Sequence, residues 1–170
     1  MTQRVFGITG WKNSGKTTLT ERLVTTLTAR GWRVSTVKHA HHAFDIDKEG
    51  TDSFRHRQAG AVEVAIVSDQ RWALMHELRG EDEPRLKDVL ARLSPCDLVL
   101  VEGYKREQHL KIEARRREAR SMAPLSTDDP HIVAIATDHT VAGETIPVFR
   151  LDDIATIADF VEKAVGLSKN

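Results

Sequence analysis

Gly10-Trp11-Lys12-Asn13-Ser14-Gly15-Lys16-Thr17 is the stretch that decides the fold. It matches the pattern G-x-x-x-x-G-K-S/T, in which glycines let the backbone curl until several N–H groups converge on phosphate oxygens. In such a loop the lysine, here Lys16, reaches the β- and γ-phosphates, and the next hydroxyl, here Thr17, binds Mg²⁺. The helix that starts beneath the loop adds a dipole that favours negative charge. The segment predicts a nucleoside triphosphate site with Mg²⁺, held by residues 10–18, including Thr18.

The flanking sequence supplies the strand and the helix that this mechanism requires. Residues 5–9 form a short apolar run that ends at Gly10, which predicts a buried strand. From 16 to 30, leucines recur four residues apart, which predicts a helix with one apolar stripe, and Gly31 is placed to cap its end. Residues 33–38 are rich in β-branched side chains. Strand, helix and strand in this order predict a βαβ unit and a parallel sheet.

The rest of the chain continues the alternation of strands and helices, with one interruption. Further strands are predicted at 97–101, 131–136 and 145–149, helices at 51–59, 84–93 and 152–165, and a hairpin at 62–67 and 71–78. Asp152 or Asp153 is expected to cap the last helix. We therefore predict one domain over residues 1–170 of the α/β class. It is a P-loop NTPase fold with a mostly parallel twisted sheet, helices on both faces and a β-hairpin insertion.

Composition limits the class of protein. In 170 residues, 40% are hydrophobic and 29% charged, which is typical of a globular protein, and the net charge of +0 gives no overall field toward nucleic acid or membrane. Cys96 is the only cysteine, so neither a disulfide framework nor a cysteine metal site is expected. The N-terminal residues run directly into a predicted strand, and no apolar run approaches the ~20 residues of a membrane span. We expect a cytoplasmic protein.

A second phosphate-side element is predicted where the strand at 97–101 ends. In a P-loop fold an acid at this position supports Mg²⁺, and Glu102 occupies it, whereas Asp97 lies at the opposite end of the strand. We expect Glu102 near Mg²⁺ or the attacking water, as a catalytic residue together with Lys16. The N–H of Gly103 is expected to approach the γ-phosphate. The alternative for Glu102 is a solvated acid at a strand end.

Asp138 follows a late strand and is a candidate for recognising the base. A carboxylate there can accept hydrogen bonds from N1–H and the exocyclic amine of guanine, a pair of donors that adenine does not present. The alternative is a turn residue, since Asp is common after strands.

Several segments together resemble one family, the molybdopterin-guanine dinucleotide biosynthesis protein B (MobB) family. They are residues 37–42, 44–47, 50–53, 55–61, 98–105 and 136–138, so the resemblance covers nearly the whole chain. It implies a homodimeric GTP-binding protein with weak GTPase activity. It also implies a supporting role when GMP is attached to molybdopterin, beside the nucleotidyltransferase that performs that chemistry (a MobA-like protein). Molybdopterin itself is a further candidate ligand.

The polar stretch after the second predicted strand contains residues for which the sequence leaves more than one role open. His39, His41 and His42 are candidates for contact with an anion or the pterin phosphate, for a solvated loop, or for a metal site. Asp52 heads a short helix and is expected to touch Mg²⁺ through water, with a helix cap as the alternative. Arg57 is either a surface charge or a group that grips phosphate.

A P-loop small-molecule kinase is the alternative function. Kinases close a lid of arginines over the phosphates, and residues 115–120 are a candidate lid. For residues 115–117 a solvated face is the simpler interpretation, with docking of an acidic partner protein as the alternative. The sequence identifies no arginine finger. Trp11 occupies the place of the lysine by which dimeric P-loop proteins activate each other.

Overall fold

The strand and the helix around the glycine loop form as their sequence pattern predicts. The computed structural model describes residues 3–40 and 44–168. In it, Val5–Thr9 is strand β1 and Lys16–Ala29 is helix α1. Gly31, at φ +88°, follows the end of α1, and the N–H of Trp32 donates to the Leu27 carbonyl at 3.1 Å. This is the closing bond of a glycine-capped helix, so the predicted cap is confirmed.

Further elements follow α1 along the chain. They are β2 (Val34–Lys38), α2 (Asp52–Gln58), β3 (Glu63–Val67), β4 (Trp72–His76), α3 (Leu86–Leu90), β5 (Leu98–Glu102), β6 (Lys111–Arg115), β7 (Ile132–Thr137), β8 (Val148–Arg150) and α4 (Ile154–Ala164). The chain divides into two compact units, residues 1–39 with 90–170, and residues 40–89. The single domain over 1–170 stays a prediction.

The first unit contains a parallel sheet in the order β2-β5-β1-β6-β7-β8. Every neighbouring pair of strands in it is parallel. β1, which leads into the glycine loop, therefore lies between β5 and β6, and the carboxyl ends of these strands meet at one edge. The predicted mostly parallel α/β sheet is confirmed.

Two helices cover part of this sheet with apolar faces. Leu19, Leu23 and Leu27 of α1 are buried, as are Ile157 and Val161 of α4. All residues of β5 are buried, which explains its uninterrupted apolar sequence. Asp153 is the N-cap of α4, as expected, with its carboxylate accepting from the N–H of Thr156 at 3.4 Å. Within the described part of the chain, no helix has the length and apolar character needed to cross a membrane.

The expectation of a solvated face over 115–117 is wrong for Arg115, which ends the central strand β6 and has a side chain only 11% exposed. Lys111 and Glu113 are completely buried there. Lys111 Nζ lies 2.6 Å from Asp129 Oδ2, and Arg115 donates to Glu113 at 2.8 Å. Buried charges persist only when they are paired and hydrogen-bonded, and these pairs provide that compensation.

Three elements are shorter than predicted. The helix expected at 84–93 is α3, the strand at 71–78 is β4, and the strand at 145–149 begins only at Val148 in β8. Pro147 explains the last difference. It has no N–H to donate, and its carbonyl accepts from Ile135 at 2.9 Å, so regular pairing starts after it.

The second unit contains α2 and the predicted hairpin. β3 and β4 pair antiparallel, with Val67 opposite Trp72 next to the turn. The turn closes through Ser68, whose hydroxyl accepts from the N–H groups of Gln70 and Arg71 at 3.3 and 3.2 Å. A serine that bonds the backbone ahead of it is a known turn-former, so local chemistry fixes this hairpin.

Arg57 organises the second unit instead of presenting a free surface charge. Its guanidinium lies 2.6 Å from Asp47, 2.9 Å from Asp45 and 3.0 Å from Glu77, and only 9% of its side chain is exposed. The hydrogen bond from Arg57 lowers the pKa of the Asp47 carboxyl. Because three carboxylates already surround Arg57, the idea that it grips phosphate finds no support in these contacts.

His109 lies beneath β1 in a place without a polar partner. Its Nε2 is buried and has no hydrogen-bond partner among the described residues. A Cβ placed on Gly7 would collide with this ring, so the strand and the imidazole are in close contact. Burial, reinforced by the charge of Lys111, lowers the pKa of His109 to about 4, from an ordinary 6.5.

We predict that His109→Gln reduces the loss of stability on acidification. Below about pH 6.5 the unfolded chain protonates this histidine while the folded chain does not, so protons favour unfolding until the pH reaches about 4. Between roughly pH 7.5 and pH 5 the expected loss is about 2 kcal/mol of unfolding free energy. Urea unfolding of wild type and variant at both pH values measures it. An equal loss in the variant would contradict the assignment.

Candidate nucleotide-binding site

The glycine loop has the backbone conformation that a phosphate cradle needs. Gly10, Asn13 and Gly15 have positive φ values of +142°, +65° and +89°. A Cβ on Gly10 would lie 2.5 Å from the Ala114 carbonyl oxygen, so only glycine fits there. The N–H of Ser14 donates to the Trp11 carbonyl at 3.1 Å, which curls the loop. The predicted loop thus forms between the end of β1 and the start of α1.

Three of the predicted phosphate-side residues meet at this edge of the sheet. Thr17 Oγ1 donates to Glu102 Oε1 at 3.0 Å, and Lys16 Nζ donates to the Trp11 carbonyl at 2.7 Å. Lys38 Nζ lies 3.5 Å from the same Glu102 oxygen. Burial lowers the pKa of Lys16, while the charge of Glu102 opposes that shift. The position that the sequence assigned to Glu102 is therefore the position it occupies.

The oxygen atoms at this edge fit Mg²⁺. Mg²⁺ in nucleotide sites takes one or two protein oxygens and completes its shell with phosphates and water. The Thr17 hydroxyl and the Glu102 carboxylate, 3.0 Å apart, are two such oxygens. The Ser14 hydroxyl is buried in the loop without a hydrogen-bond partner among the described residues, so it is available to a phosphate oxygen. Residues 13–18 line a cavity of about 400 Å³ together with Arg116 and Glu118.

A larger cavity, of about 880 Å³, connects the first turns of α1 to Asp138. Gly15, Thr18 and Leu19 line one part of it, and Asp138 lies at the carboxyl end of β7. Asp138 Oδ1 accepts from the N–H of Arg117 at 3.1 Å, and His139 Nδ1 lies 2.9 Å from it. The hydrogen bond with His139 lowers the pKa of the Asp138 carboxyl. Asp138 is therefore an oriented carboxylate that acts only as an acceptor at neutral pH.

Comparison with known proteins agrees with this geometry. Residues 5–138 match the family described as "Molybdopterin guanine dinucleotide synthesis protein B", or MobB. The chain belongs to this family.

Relatives of similar length support the assignment. The chain is 42% identical over 161 residues to the "Molybdopterin-guanine dinucleotide biosynthesis adapter protein" of Haemophilus influenzae, covering 93% of this chain and 87% of the relative. It is 40% identical over 153 residues to the protein of the same name from Escherichia coli, covering 89% and 87%. The structure of a MobB protein homolog from Bacillus stearothermophilus matches with a TM-score of 0.73 and 34% identity, over 96% of this chain and 99% of that one.

Gly103 occupies its predicted place in this MobB-family chain, but its N–H has another partner. It donates to the Ile8 carbonyl at 3.1 Å and so does not point freely toward a γ-phosphate. At φ +95°, Gly103 lies against His39, whose Cβ would be 3.1 Å from a Cβ added to the glycine. The glycine is explained by this close approach, and its contact with nucleotide stays a prediction.

The other candidates in the polar stretch are only partly placed. The N–H of His39 donates to the Glu102 carbonyl at 2.9 Å, and its ring lies 4.7 Å from that of Tyr104, which puts His39 at the phosphate edge. His41 and His42 lie outside the described residues. Asp52 is the first residue of α2, with Thr51 at the cap position, so the cap alternative does not apply to it. Its contact with Mg²⁺ stays a prediction. Across residues 3–40 and 44–168, no three His, Cys, Asp or Glu side chains are grouped to hold a metal ion.

Arg116, which the sequence marked only as part of the candidate lid at 115–120, borders both cavities, as do Gly15 and Thr18. Its Nε lies 3.5 Å from Asp138 Oδ2, and its terminal nitrogen lies 3.0 Å from Glu118. The neighbouring Arg115 is tied to Glu113 within the sheet, and the N–H of Arg120 donates to the Lys12 carbonyl at 2.8 Å. Residues 115–120 are thus fastened to the sheet and to the loop, unlike a lid that opens and closes.

Proposed function

We propose that this MobB-family chain binds Mg-GTP and acts as a nucleotide-gated adapter in the synthesis of molybdopterin guanine dinucleotide. Its partner in this proposal is the nucleotidyltransferase that attaches GMP to molybdopterin, a MobA-like protein. The observation that carries the proposal is the cavity that reaches from Gly15 and Thr18, at the phosphate loop and the first turn of α1, to Asp138. The names of the relatives as adapter proteins support the biosynthetic role.

Guanine suits the acceptor at the far end of this cavity. The contacts of Asp138 with Arg117 N–H and His139 Nδ1 are made by Oδ1, while Oδ2 has Arg116 as its neighbour at 3.5 Å. Guanine presents N1–H and an exocyclic amine side by side, and an ionised carboxylate accepts both. Adenine offers an unprotonated N1 at the corresponding position, which faces the carboxylate lone pairs. Asp138 therefore favours guanine by attraction and disfavours adenine by repulsion.

Hydrolysis in this proposal is weak and Mg²⁺-dependent. Lys16 would stabilise charge on the terminal phosphate. Thr17 and Glu102, whose oxygens lie 3.0 Å apart, would hold Mg²⁺, which would supply further positive charge there, and Glu102 would also orient water. Arg116, the arginine at the edge of the loop cavity, is already paired with Glu118 and Asp138. The sequence identifies no arginine finger, so the expected rate is about 10⁻⁴ s⁻¹, as in other GTPases that lack the finger. A low rate suits an adapter whose bound state must last.

We predict that wild type prefers GTP to ATP and that Asp138→Ala abolishes the preference. Losing two charge-assisted hydrogen bonds is expected to cost about 2–3 kcal/mol, or roughly 30- to 150-fold in affinity for GTP, while ATP, no longer repelled, is expected to bind at least as well as before. Titration calorimetry with Mg²⁺ measures both affinities. Chelation of Mg²⁺ is expected to weaken both nucleotides, because Thr17 and Glu102 then hold no ion against the phosphates.

Two variants sharpen this test. Asp97→Ala removes a carboxylate at the opposite end of β5, where it pairs with Arg33, and is expected to leave the preference intact. Asp138→Asn places an amide donor at the base, so xanthosine triphosphate, with a carbonyl in place of the exocyclic amine, should replace GTP as the preferred ligand. Equal binding of GTP and ATP by wild type, unchanged at Asp138→Ala, would refute guanine recognition.

We predict that the chain raises the yield of molybdopterin guanine dinucleotide when added to the nucleotidyltransferase, molybdopterin, Mg²⁺ and GTP. The rise should require nucleotide binding, so Lys16→Ala, which removes the loop cation, should give the yield of the transferase alone. Lys163→Ala, an exposed lysine on α4, is the matched control. The dinucleotide is quantified chromatographically. A yield that does not respond to the wild-type chain would argue against the adapter role.

We also propose a homodimer, with the hairpin as the contact. Val67, Trp72 and Leu74 share one face of β3–β4 and are exposed by 75%, 69% and 48%. Clusters of exposed apolar side chains of this kind mark association surfaces. We predict a solution mass of two chains by light scattering, reduced toward one chain by Trp72→Ser and unchanged by Gln70→Ala in the turn. A wild-type mass of one chain would refute the dimer.

A further inference from the structure

Trp11 in the glycine loop is contacted by two lysines from different parts of the first unit. Its carbonyl accepts a hydrogen bond from Lys16 Nζ at 2.7 Å. Its ring lies under Lys105, whose Nζ is 4.2 Å from the ring centroid. An ammonium group at that distance over an indole is attracted by the negative face of the ring. Two ammonium groups therefore converge on the second residue of the phosphate loop.

The position of Lys105 is fixed from both sides. The Trp11 ring is anchored by its Nε1, which donates to the Ala123 carbonyl at 2.7 Å. On the other side, Gly103 and Tyr104 have φ values of +95° and +46°, so the chain bends sharply right after Glu102. A positive φ is uncommon for tyrosine and persists only where its surroundings require it. The bend brings Lys105 back over the loop instead of letting it continue along β5.

These lysines lack a direct counter-ion. Among residues 3–40 and 44–168, no carboxylate forms an ion pair with Lys16 or Lys105, while Glu102 is engaged by Thr17 and Lys38. Lys16 Nζ lies against the Trp11 carbonyl and Lys105 Nζ against the Trp11 ring. Two ammonium groups held in this way, without an ion-paired carboxylate of their own among the described residues, are placed to attract an anion such as a phosphate.

We infer that Lys105 is a second cation for the terminal phosphate of the bound nucleotide, held in place by the Trp11 ring. The inference rests on the proposed function and deepens it. Lys16 comes from the loop itself, whereas Lys105 comes from the turn that follows the strand carrying Glu102, so the γ-phosphate would bridge the two sides. Trp11 thus stands where dimeric P-loop proteins have a lysine in the loop. Its ring instead holds Lys105, which belongs to the same chain.

Titration calorimetry with Mg-GTP and Mg-GDP tests this on the full chain. Lys105→Ala is expected to weaken GTP by about tenfold or more, the size of one hydrogen bond to a charged group, and GDP by less than about twofold. Trp11→Ala is expected to reduce the GTP/GDP ratio in the same direction, because the ammonium is then no longer held. Lys105→Arg keeps the charge and should retain most of the ratio. Lys163→Ala, far along α4, is the control for removing a surface lysine.

The other possible results of this titration would overturn either the inference about Lys105 or the proposed function. Equal weakening of GTP and GDP by Lys105→Ala would show that Lys105 supports the loop and would overturn the inference, as would unchanged affinities. Retained GDP binding confirms that the variant is folded, and Lys105→Arg provides the second variant if it is not. Failure of the wild type to bind either guanine nucleotide would instead overturn the proposed function, and the inference with it.

Discussion

The contact between Gly10 and the Ala114 carbonyl is the constraint on which the site depends. The loop passes so close to β6 that a Cβ at Gly10 would lie 2.5 Å from that oxygen. Since α1 begins directly after the loop, a lifted loop would also displace Thr17 from Glu102, to which it donates at 3.0 Å. The parallel order of β5, β1 and β6 makes this approach possible, because all three strands end at the same edge.

The buried carboxylate of Glu113 in β6 fixes the position of the loop that contains Leu125 and Ser126. Glu113 accepts from Arg115 at 2.8 Å and from the N–H groups of Leu125 and Ser126 at 2.9 and 3.1 Å. The loop that carries these two residues also presents the Ala123 carbonyl that anchors Trp11. A carboxylate buried at 0% exposure would be costly without its three donors, so the strand specifies where that loop lies. The phosphate loop is held from below by a backbone contact and from the side by this loop.

The features of the fold and of the site that could be predicted are those encoded by residues close together in the sequence. The glycine loop, the leucine stripe of α1 and the glycine cap at Gly31 are local patterns, and each formed as expected. Glu102 and Asp138 were located because a strand followed by an acid is also a local pattern. What the sequence concealed was β6, whose alternate positions are charged.

The sequence misleads about the charged residues of β6 and about Arg57 for the same reason. Lys111 is paired with Asp129, eighteen residues later, and Arg57 with Glu77, twenty residues later. A periodicity rule scores such residues as exposed because it counts side-chain type and not the partner that neutralises the charge. Gly103 shows the converse, since its place beside Glu102 suggested a phosphate contact, while its N–H donates to the Ile8 carbonyl.

A formal net charge of +0 conceals a strong local field at the phosphate edge. Lys105 and Lys38 both repel Lys16, and Glu102 is the carboxylate that opposes this repulsion. In the proposed complex, a triphosphate with Mg²⁺ would relieve that repulsion. A ligand shifts a conformational equilibrium only through its different affinity for the two states, so a nucleotide gate needs groups that distinguish GTP from GDP. In the proposed cycle those groups are connected to the bend at 103–105 and, through Trp11, to the loop that bears Ala123. Loss of the γ-phosphate is therefore expected to change the conformation of these two segments first.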